Sequence, residues 1–173
     1  ALEVGIFNEI HVSTELEEIA RLLQNVGLPV PFLRDPELAT SDSPLVDTIK
    51  FVLNKFEERG QVFDNFCILW ATNPMRLPDD IVGANKMLES DENCTAVISV
   101  SQLKPSAYAV QTMDGNGYLK PVTPEIMKLA RKDKPIPYVD NGNFCWVKVS
   151  AFYDTGSWMP EGLRGYIVDP NTS

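Results

Sequence analysis

An apolar run leads directly into a polar turn at Phe66-Cys-Ile-Leu-Trp-Ala-Thr-Asn-Pro-Met-Arg76. The first six residues, 66–71, are uncharged and rich in aromatic and β-branched side chains, which is typical of a strand buried on both faces in a parallel sheet. Pro74 removes a backbone donor and disfavours helical angles at Asn73, so we expect the strand to end there. A helical pattern follows over 78–89. The sequence therefore predicts a central strand, a turn and a helix.

This turn is a candidate ligand site, because ligands of open α/β sheets bind outside the carboxyl ends of the strands. An ordinary structural loop is the alternative. Around it, strand-like and helix-like segments alternate, which predicts a largely parallel sheet with right-handed crossovers. Further strands are expected at 6–12, 94–100, 143–149 and 165–168. Further helices are expected after the caps Ser13 and Ser43 and over 125–132, with a β-hairpin at 107–122 and a tight turn at 139–142.

The first of these helices is expected to carry an apolar stripe on one face. The stripe consists of Ile19, Leu22, Leu23 and Val26 and ends at Gly27. Gly5 is expected to end an earlier helical turn at 1–4. These patterns show no internal repeat or linker, so the 173 residues are interpreted as one domain, 1–173.

Composition excludes several classes of function. The net charge of −9 argues against binding to nucleic acid or to an acidic membrane surface, although it permits a small anionic ligand. No apolar stretch is long enough to span a membrane. The three cysteines are far apart among apolar neighbours, which favours buried free thiols in a reducing compartment, and hence a cytoplasmic location, over a metal site or a nucleophile. His11 is the only histidine, so a zinc site is not expected.

One basic cluster stands out in this acidic chain. It consists of Lys128, Arg131, Lys132 and Lys134. A solvated helix face explains such a cluster, and an anion-binding site over the sheet edge is the functional alternative.

Four segments together resemble the sialic-acid-type (nonulosonate) cytidylyltransferases. They are Gly5-Ile-Phe-Asn-Glu-Ile-His-Val-Ser-Thr14, Val30-Pro-Phe-Leu-Arg-Asp-Pro-Glu-Leu-Ala39, Trp70-Ala-Thr-Asn-Pro74 and Tyr138-Val-Asp-Asn-Gly-Asn-Phe-Cys-Trp146. They occur in the family's order, and Phe144 and Trp146 are most similar to the pseudaminic acid branch. The resemblance implies an α/β fold of the nucleotide-diphospho-sugar transferase type: a Rossmann-like three-layer sandwich with a mostly parallel sheet. It also implies a hairpin and helix excursion, 101–142, over the sugar side.

The family joins CTP to a nine-carbon 2-keto sugar acid and releases pyrophosphate, with Mg²⁺, usually as dimers. The resemblance places one set of residues on the nucleotide side: Arg34, Asp42, Trp70 and Thr72. It places a second set on the sugar-acid side: Arg131, Asp140 and Asn141. Guanidinium groups suit carboxylate or phosphate, and short polar groups on tight turns are well oriented. If the resemblance is set aside, a structural role explains each residue as well as a binding role does: Arg34 as the cap of a loop and Asp140 as part of an Asx-turn.

The sequence also departs from the family pattern. The glycine- and lysine/arginine-rich phosphate loop and the aspartate-x-aspartate metal motif are not found in 1–173, so no Mg²⁺ ligands are identified. Three positions differ as well: Glu15, Ala71 and Tyr108. Because losing one preorganised donor costs roughly 3–4 kcal/mol of transition-state stabilisation, we expect the chain alone to be truncated and nearly inactive.

Two other functions remain open at this point. One is a non-catalytic truncated paralogue that serves as a dimerising or sugar-acid-binding module. The other is a related transferase that uses UTP or GTP. If a first strand is absent, we expect the exposed sheet edge to be covered by self-association, as a homodimer or larger assembly.

Overall fold

A computed structural model gives the structure of residues 1–172. In chain order the strands are β1 (Asn65–Leu69), β2 (Ala96–Gln102), β3 (Gln111–Met113), β4 (Leu119–Pro121), β5 (Tyr138–Lys148) and β6 (Leu163–Ile167). The helices are α1 (Glu17–Asn25), α2 (Leu45–Glu57), α3 (Pro78–Ser90), α4 (Pro124–Lys128) and α5 (Val149–Thr155). No helix among residues 1–172 combines the length and apolar character needed to cross a bilayer.

Four strands form the main sheet, in the order β1-β5-β2-β6. β5 is antiparallel to both β1 and β2, whereas β2 and β6 are parallel, so β1, β2 and β6 run in one direction. The fold-class prediction of an α/β protein with a mostly parallel sheet is therefore confirmed. The prediction that the Phe66 strand is central was wrong. β1 is an edge strand of half-buried residues, because β5 takes the place between β1 and β2.

Helices cover both faces of this sheet and form a three-layer sandwich. On one face, α3 packs through Ile81, Ala84 and Leu88 against Phe144 and Trp146 of β5. The Trp146 indole N–H also donates to the Ile81 carbonyl oxygen over 3.0 Å. On the opposite face, α2 and α5 contribute Ile49 and Phe152 to a second apolar cluster. Burial on both faces explains why the strands are continuous apolar runs.

The segment 6–12 is not a strand, contrary to the sequence prediction. A short 3-10 helix at Leu2–Val4 ends at Gly5, whose φ of 70° is left-handed, and the chain then continues without regular structure. A strand needs a neighbour for its backbone groups, and no ladder within residues 1–172 includes this segment. Its side chains still pack: Phe7 stacks on Trp146, and His11 lies 4.4 Å from the Phe32 ring centroid.

The two N-terminal helices form, but their predicted ends and buried face need correction. α1 begins at Glu17, after Thr14 Oγ1 accepts a hydrogen bond from the Leu16 N–H. No residue of α1 is buried, so its apolar stripe is not a core face. Ser43 does not cap α2, because its hydroxyl donates to the Glu37 carbonyl oxygen instead.

The excursion after β2 carries the predicted hairpin as β3 and β4. The single helix predicted over 125–132 is broken: α4 ends at Lys128, because Leu129 has an extended ψ of 147°. A 3-10 turn at Arg131–Asp133 follows. Of the other elements, α3 begins at the predicted Pro78, whereas the strand predicted from Cys94 begins at Ala96.

Candidate active site

The polypeptide leaves β1 in a tight turn at 70–73. The Asn73 N–H donates to the Trp70 carbonyl oxygen over 3.2 Å, which closes the turn. The Arg76 guanidinium lies across it: Nε donates to the Asn73 carbonyl oxygen over 2.8 Å, and Nη2 donates to the carbonyl oxygens of both Asn73 and Trp70. Burial lowers the pKa of Arg76. Within residues 1–172, no acidic side chain forms an ion pair with it.

A second turn interrupts β5 beside the first. The pairing of β2 with β5 shifts between Ile98–Cys145 and Val100–Asp140, so four residues of β5 bulge opposite Ser99. Within the bulge, Asp140 Oδ1 accepts a hydrogen bond of 2.8 Å from the N–H of Gly142, which has a φ of 69°. Asp140 thus makes the Asx-turn that the sequence permitted, inside a strand rather than before one.

The two turns are joined by side-chain amides. Asn73 Nδ2 donates to the Asn141 carbonyl oxygen over 3.0 Å, and Asn141 Nδ2 donates to Ser101 Oγ over 3.2 Å. Asn141 Oδ1 accepts from the Asn143 N–H over 3.3 Å. These contacts lie where β1 and β2 end and β5 begins, which is the carboxyl edge at which α/β sheets bind ligands. The structure thus brings Asp140 and Asn141 together with the Trp70 turn.

The Trp70 and Thr72 side chains point to different surroundings. Trp70 is half-buried and makes an edge contact with Trp158, with ring centroids 5.6 Å apart, so its indole is part of the apolar cluster on the α2 face. Thr72 is exposed on the turn. Of the two, Thr72 is therefore the one whose side chain is open to a ligand without repacking.

The predicted nucleotide residues Arg34 and Asp42 lie in a separate place. Arg34 Nη2 contacts Glu15 Oε2 at 2.5 Å, and its backbone N–H donates to the Thr14 carbonyl oxygen over 2.7 Å. This hydrogen bond from Arg34 holds the pKa of Glu15 below its usual range. Asp42 is exposed in the loop before α2. Within residues 1–172, no hydrogen bond, ion pair or ring contact joins Arg34 or Asp42 to the Trp70 turn.

Three of the four residues of the basic cluster are exposed along the excursion, and Lys134 is half-buried. Arg131 lies at the start of the 3-10 turn with its side chain in solvent, and Lys128 pairs with Glu125 at 3.0 Å. Lys132 is also exposed. None of the ion pairs found within residues 1–172 includes Arg131. The geometry leaves both interpretations, a solvated face and an anion-binding cluster, in place.

The joined turns at 70–73 and 138–143, together with the end of β2 at 99–102, form the walls of the candidate cleft, and these walls do not fit a divalent cation. Within residues 70–73, 99–102 and 138–143, Asp140 is the one carboxylate, and its Oδ1 is bonded to its own turn. Across residues 1–172, no group of three or more histidine, cysteine, aspartate or glutamate side chains is arranged to hold a metal ion. Mg²⁺ prefers several oxygen ligands in octahedral geometry, which these walls do not provide.

The cysteines are free thiols, as predicted. Burial raises the pKa of Cys145 to about 12 and the pKa of Cys67 well above its usual range. A thiol that stays protonated is a poor nucleophile and a poor metal ligand. The cysteines therefore belong to the core rather than to a reactive site.

Two buried polar side chains were missed by sequence reasoning, one of them in the β5 bulge and the other outside the candidate site. Asn143 is fully buried, and neither its Oδ1 nor its Nδ2 has a partner among the described residues. The ring nitrogens of His11 are also buried without partners, and burial lowers its pKa to about 4. For Asn143, the sequence did carry a signal, because a polar asparagine stands inside an apolar, strand-like run. The pairing of His11 with Phe32 had no signal in the sequence.

No protein-family model matches this chain. It is 32% identical over 170 residues to the CMP-N,N'-diacetyllegionaminic acid synthase of Legionella pneumophila, covering 98% of this chain and 72% of that protein. It is 32% identical over 75 residues to a pseudaminic acid cytidylyltransferase of Campylobacter jejuni, covering 43% of this chain and 32% of that one. It is 23% identical to the N-acylneuraminate cytidylyltransferase of Escherichia coli over 173 residues, or 40% of that protein.

A solved structure has the same fold. The CMP:2-keto-3-deoxy-manno-octonic acid synthetase complexed with CTP superposes with a TM-score of 0.67 at 14% identity, covering 96% of this chain and 75% of that one. The likeness shows that this chain is an α/β protein with the fold of that synthetase. The chain belongs to the sialic-acid-type (nonulosonate) cytidylyltransferase family.

Proposed function

We propose that this chain acts in the transfer of CMP from CTP to a nonulosonic acid, with release of pyrophosphate. The observation that carries the proposal is the hydrogen bond from Asn73 to Asn141, because it makes one polar cleft out of the end of β1 and the Asp140 turn. The fold shared with a CTP complex supports a nucleotide ligand. The relatives act on legionaminic, pseudaminic and N-acylneuraminic acids, which supports a sugar acid as the acceptor.

In this proposal the two turns have different roles. The Trp70 end of the first turn, with Thr72, faces the nucleotide, and the Asp140–Asn141 side, to which the Asn73 amide is bonded, faces the hydroxyl groups of the sugar acid. Arg34 and Asp42 line the nucleotide side from the loop before α2, and Arg131 faces the carboxylate from the excursion. Guanidinium groups suit the anionic parts of both substrates. The family's expected Mg²⁺ has no donor set in the described cleft, so we assign it no step.

The test is an assay of CMP-sugar formation from CTP and Mg²⁺ with N-acetylneuraminic, pseudaminic or N,N'-diacetyllegionaminic acid. Asp140→Ala is expected to weaken sugar-acid binding about tenfold or more, as loss of a well-placed polar contact does. Asp91→Ala is a matched control, since Asp91 Oδ1 accepts from the Asn93 N–H over 3.0 Å in the loop between α3 and β2, at the opposite end of β2.

The outcomes separate the candidate functions. CMP-sugar formation confirms the proposal and contradicts the expectation that this chain alone is nearly inactive. Binding of both CTP and a sugar acid without turnover agrees with that expectation, binding of a sugar acid without CTP identifies a non-catalytic module, and selective binding of UTP or GTP identifies a related transferase. Absence of binding to every nucleotide and sugar acid refutes the proposal. Equal losses in Asp140→Ala and Asp91→Ala would remove Asp140 from the site.

We also propose that the chain is a homodimer in the cytoplasm. β1 pairs only with β5 within residues 1–172, so one edge of this strand has unpaired backbone groups. Such an edge favours strand addition by another chain. The three free thiols fit a reducing compartment.

A further inference from the structure

Arg76 lies in the candidate cleft, yet its hydrogen bonds are directed at the protein backbone. Nε and Nη2 donate to the carbonyl oxygens of Trp70 and Asn73, which are the two ends of one turn. A planar guanidinium presents its donors in a rigid fork, so one side chain holds both carbonyl groups in a fixed relation. Within residues 1–172, no carboxylate forms an ion pair with Arg76. Its described hydrogen bonds therefore all go to this turn.

The turn that Arg76 holds carries Asn73, and Asn73 is buried. Its backbone carbonyl accepts from Arg76, while its side-chain amide donates to the Asn141 carbonyl oxygen over 3.0 Å. Asn141 is itself bonded to Ser101 and to the Asn143 N–H, so Asn73 is linked through Asn141 to the β5 bulge. A continuous chain of hydrogen bonds thus runs from Arg76 to the Asp140 turn.

We infer that Arg76 is a positioning residue, which fixes the Trp70–Asn73 turn so that the Asn73 amide holds the Asp140 turn and the adjoining β5 bulge in place. Arg76 therefore acts on the sugar-acid side of the cleft through Asn73 and without touching the sugar acid. The substrate part of this inference rests on the proposed function. The structural part does not, since these hydrogen bonds are made between groups of the protein itself.

Amide hydrogen exchange of the free protein tests the structural part. We expect Arg76→Met to accelerate exchange at Gly142 and Asn143 about tenfold, the equivalent of one lost hydrogen bond. Asn73→Ala should have the same effect, and adding Arg76→Met to Asn73→Ala should add little, because both changes break one chain of contacts. The Gly117 amide, bonded to the Asp114 carbonyl oxygen in the hairpin, is the internal reference.

Two further variants sharpen the result. Arg76→Lys keeps the charge but loses the fork, so we expect exchange at Gly142 to remain fast. Arg164→Met removes a guanidinium that pairs with Asp91 at the opposite edge of the sheet, and it should leave Gly142 unchanged. Unchanged exchange in Arg76→Met, full protection in Arg76→Lys, or additive effects in the double variant would each overturn the inference.

Calorimetry with CTP and with N-acetylneuraminic acid tests the substrate part. Asn73→Ala should weaken binding of the sugar acid about tenfold and change CTP binding less than about twofold, whereas Arg76→Met should weaken both. Equal loss of both ligands in Asn73→Ala would overturn the assignment of Asn73 to the sugar side. If the unaltered protein binds neither ligand, the proposed function fails, and the exchange data alone decide the role of Arg76.

Discussion

The phenyl ring of Phe7 lies nearly parallel to the indole of Trp146, with ring centroids 5.3 Å apart and an interplanar angle of 16°. Phe7 belongs to a segment without regular structure, whereas Trp146 lies in β5 and donates a hydrogen bond to α3. Stacked aromatic pairs contribute beyond the area that they bury. This contact therefore attaches the N-terminal segment to the core without a backbone ladder.

Phe7→Ala is expected to lower the free energy of unfolding by about 2 kcal/mol, since Phe7 is half-buried and loses its ring contact. Urea denaturation followed by tryptophan fluorescence measures the change. Leu22→Ala is the control, because Leu22 is 60% exposed on α1. Comparable losses in the two variants would show that the stacking does not stabilise the fold.

His11 should make the protein sensitive to acid. Burial lowers the pKa of His11 from 6.5 to about 4, so the unfolded chain binds the proton first. Its contribution to stability is therefore complete above the unfolded pKa of 6.5 and is lost as the pH falls toward 4. Because the ring stays partly exposed, we expect a loss of about 1–2 kcal/mol rather than the full value of the shift.

His11→Phe supplies the comparison for this effect. Phenylalanine keeps an aromatic ring beside Phe32 and Phe56 but does not titrate. The difference in unfolding free energy between the two proteins should change with pH inside that window and stay constant above it. Parallel pH profiles would show that His11 is not responsible.

Asn143→Ala should be tolerated, unlike most substitutions in a core. The Asn143 amide is buried and unpartnered among the described residues, so removing it also removes a desolvation penalty of about 1–3 kcal/mol. This gain offsets the small cavity, and we expect stability to be unchanged or higher. Ser99→Ala is the contrast, because Ser99 Oγ bonds both the N–H and the carbonyl oxygen of Phe144, and its loss should destabilise. A large loss in Asn143→Ala would mean that the amide has a partner, such as a buried water.

Self-association should be visible by light scattering as a mass near twice the 19.3 kDa of the chain at micromolar concentration. The outward amides of β1 should then be protected from exchange and lose protection on dilution. Leu22→Lys tests the exposed face of α1 as the alternative contact. A monomeric mass contradicts the proposed dimer. If Leu22→Lys dissociates the dimer, the contact is made by α1 and not by the β1 edge.

Local sequence patterns predicted which segments form strands and helices better than they predicted which strands lie next to each other in the sheet. The apolar run before Trp70 formed β1, and Pro78 begins α3 as expected, since both depend on adjacent residues. The edge position of β1 was not predictable, because it depends on β5, which arrives later in the chain and runs in the opposite direction. The strand prediction for 6–12 was wrong for a related reason. Its apolar residues fit a strand, but a strand forms only when another strand pairs with it.

The candidate site shows the same difference between features set by adjacent residues and contacts between distant segments. The tight turn at Asp140 was predicted from its own residues, because turn chemistry is local, whereas the resemblance to the family placed Asp140 and Asn141 on the sugar-acid side. The bond from Asn73 to Asn141 joins residues 68 positions apart, and nothing in either segment indicates the other. Arg34 forms a pair with Glu15, while its link to the Trp70 turn stays a prediction.

The insertion of β5 between β1 and β2 has a consequence for synthesis of the chain. More than thirty residues separate the end of β2 at Gln102 from the start of β5 at Tyr138. At typical elongation rates, β1 and β2 therefore wait about 2–7 s on the ribosome before synthesis of the strand that joins them begins. We expect nascent chains stalled before Tyr138 to be cleaved rapidly by protease and those stalled well beyond Lys148 to resist it. Equal resistance in both would show that the earlier strands fold without β5. During that interval two apolar strands are open to chaperones and to other nascent chains, so translation speed through the excursion influences the yield of folded protein.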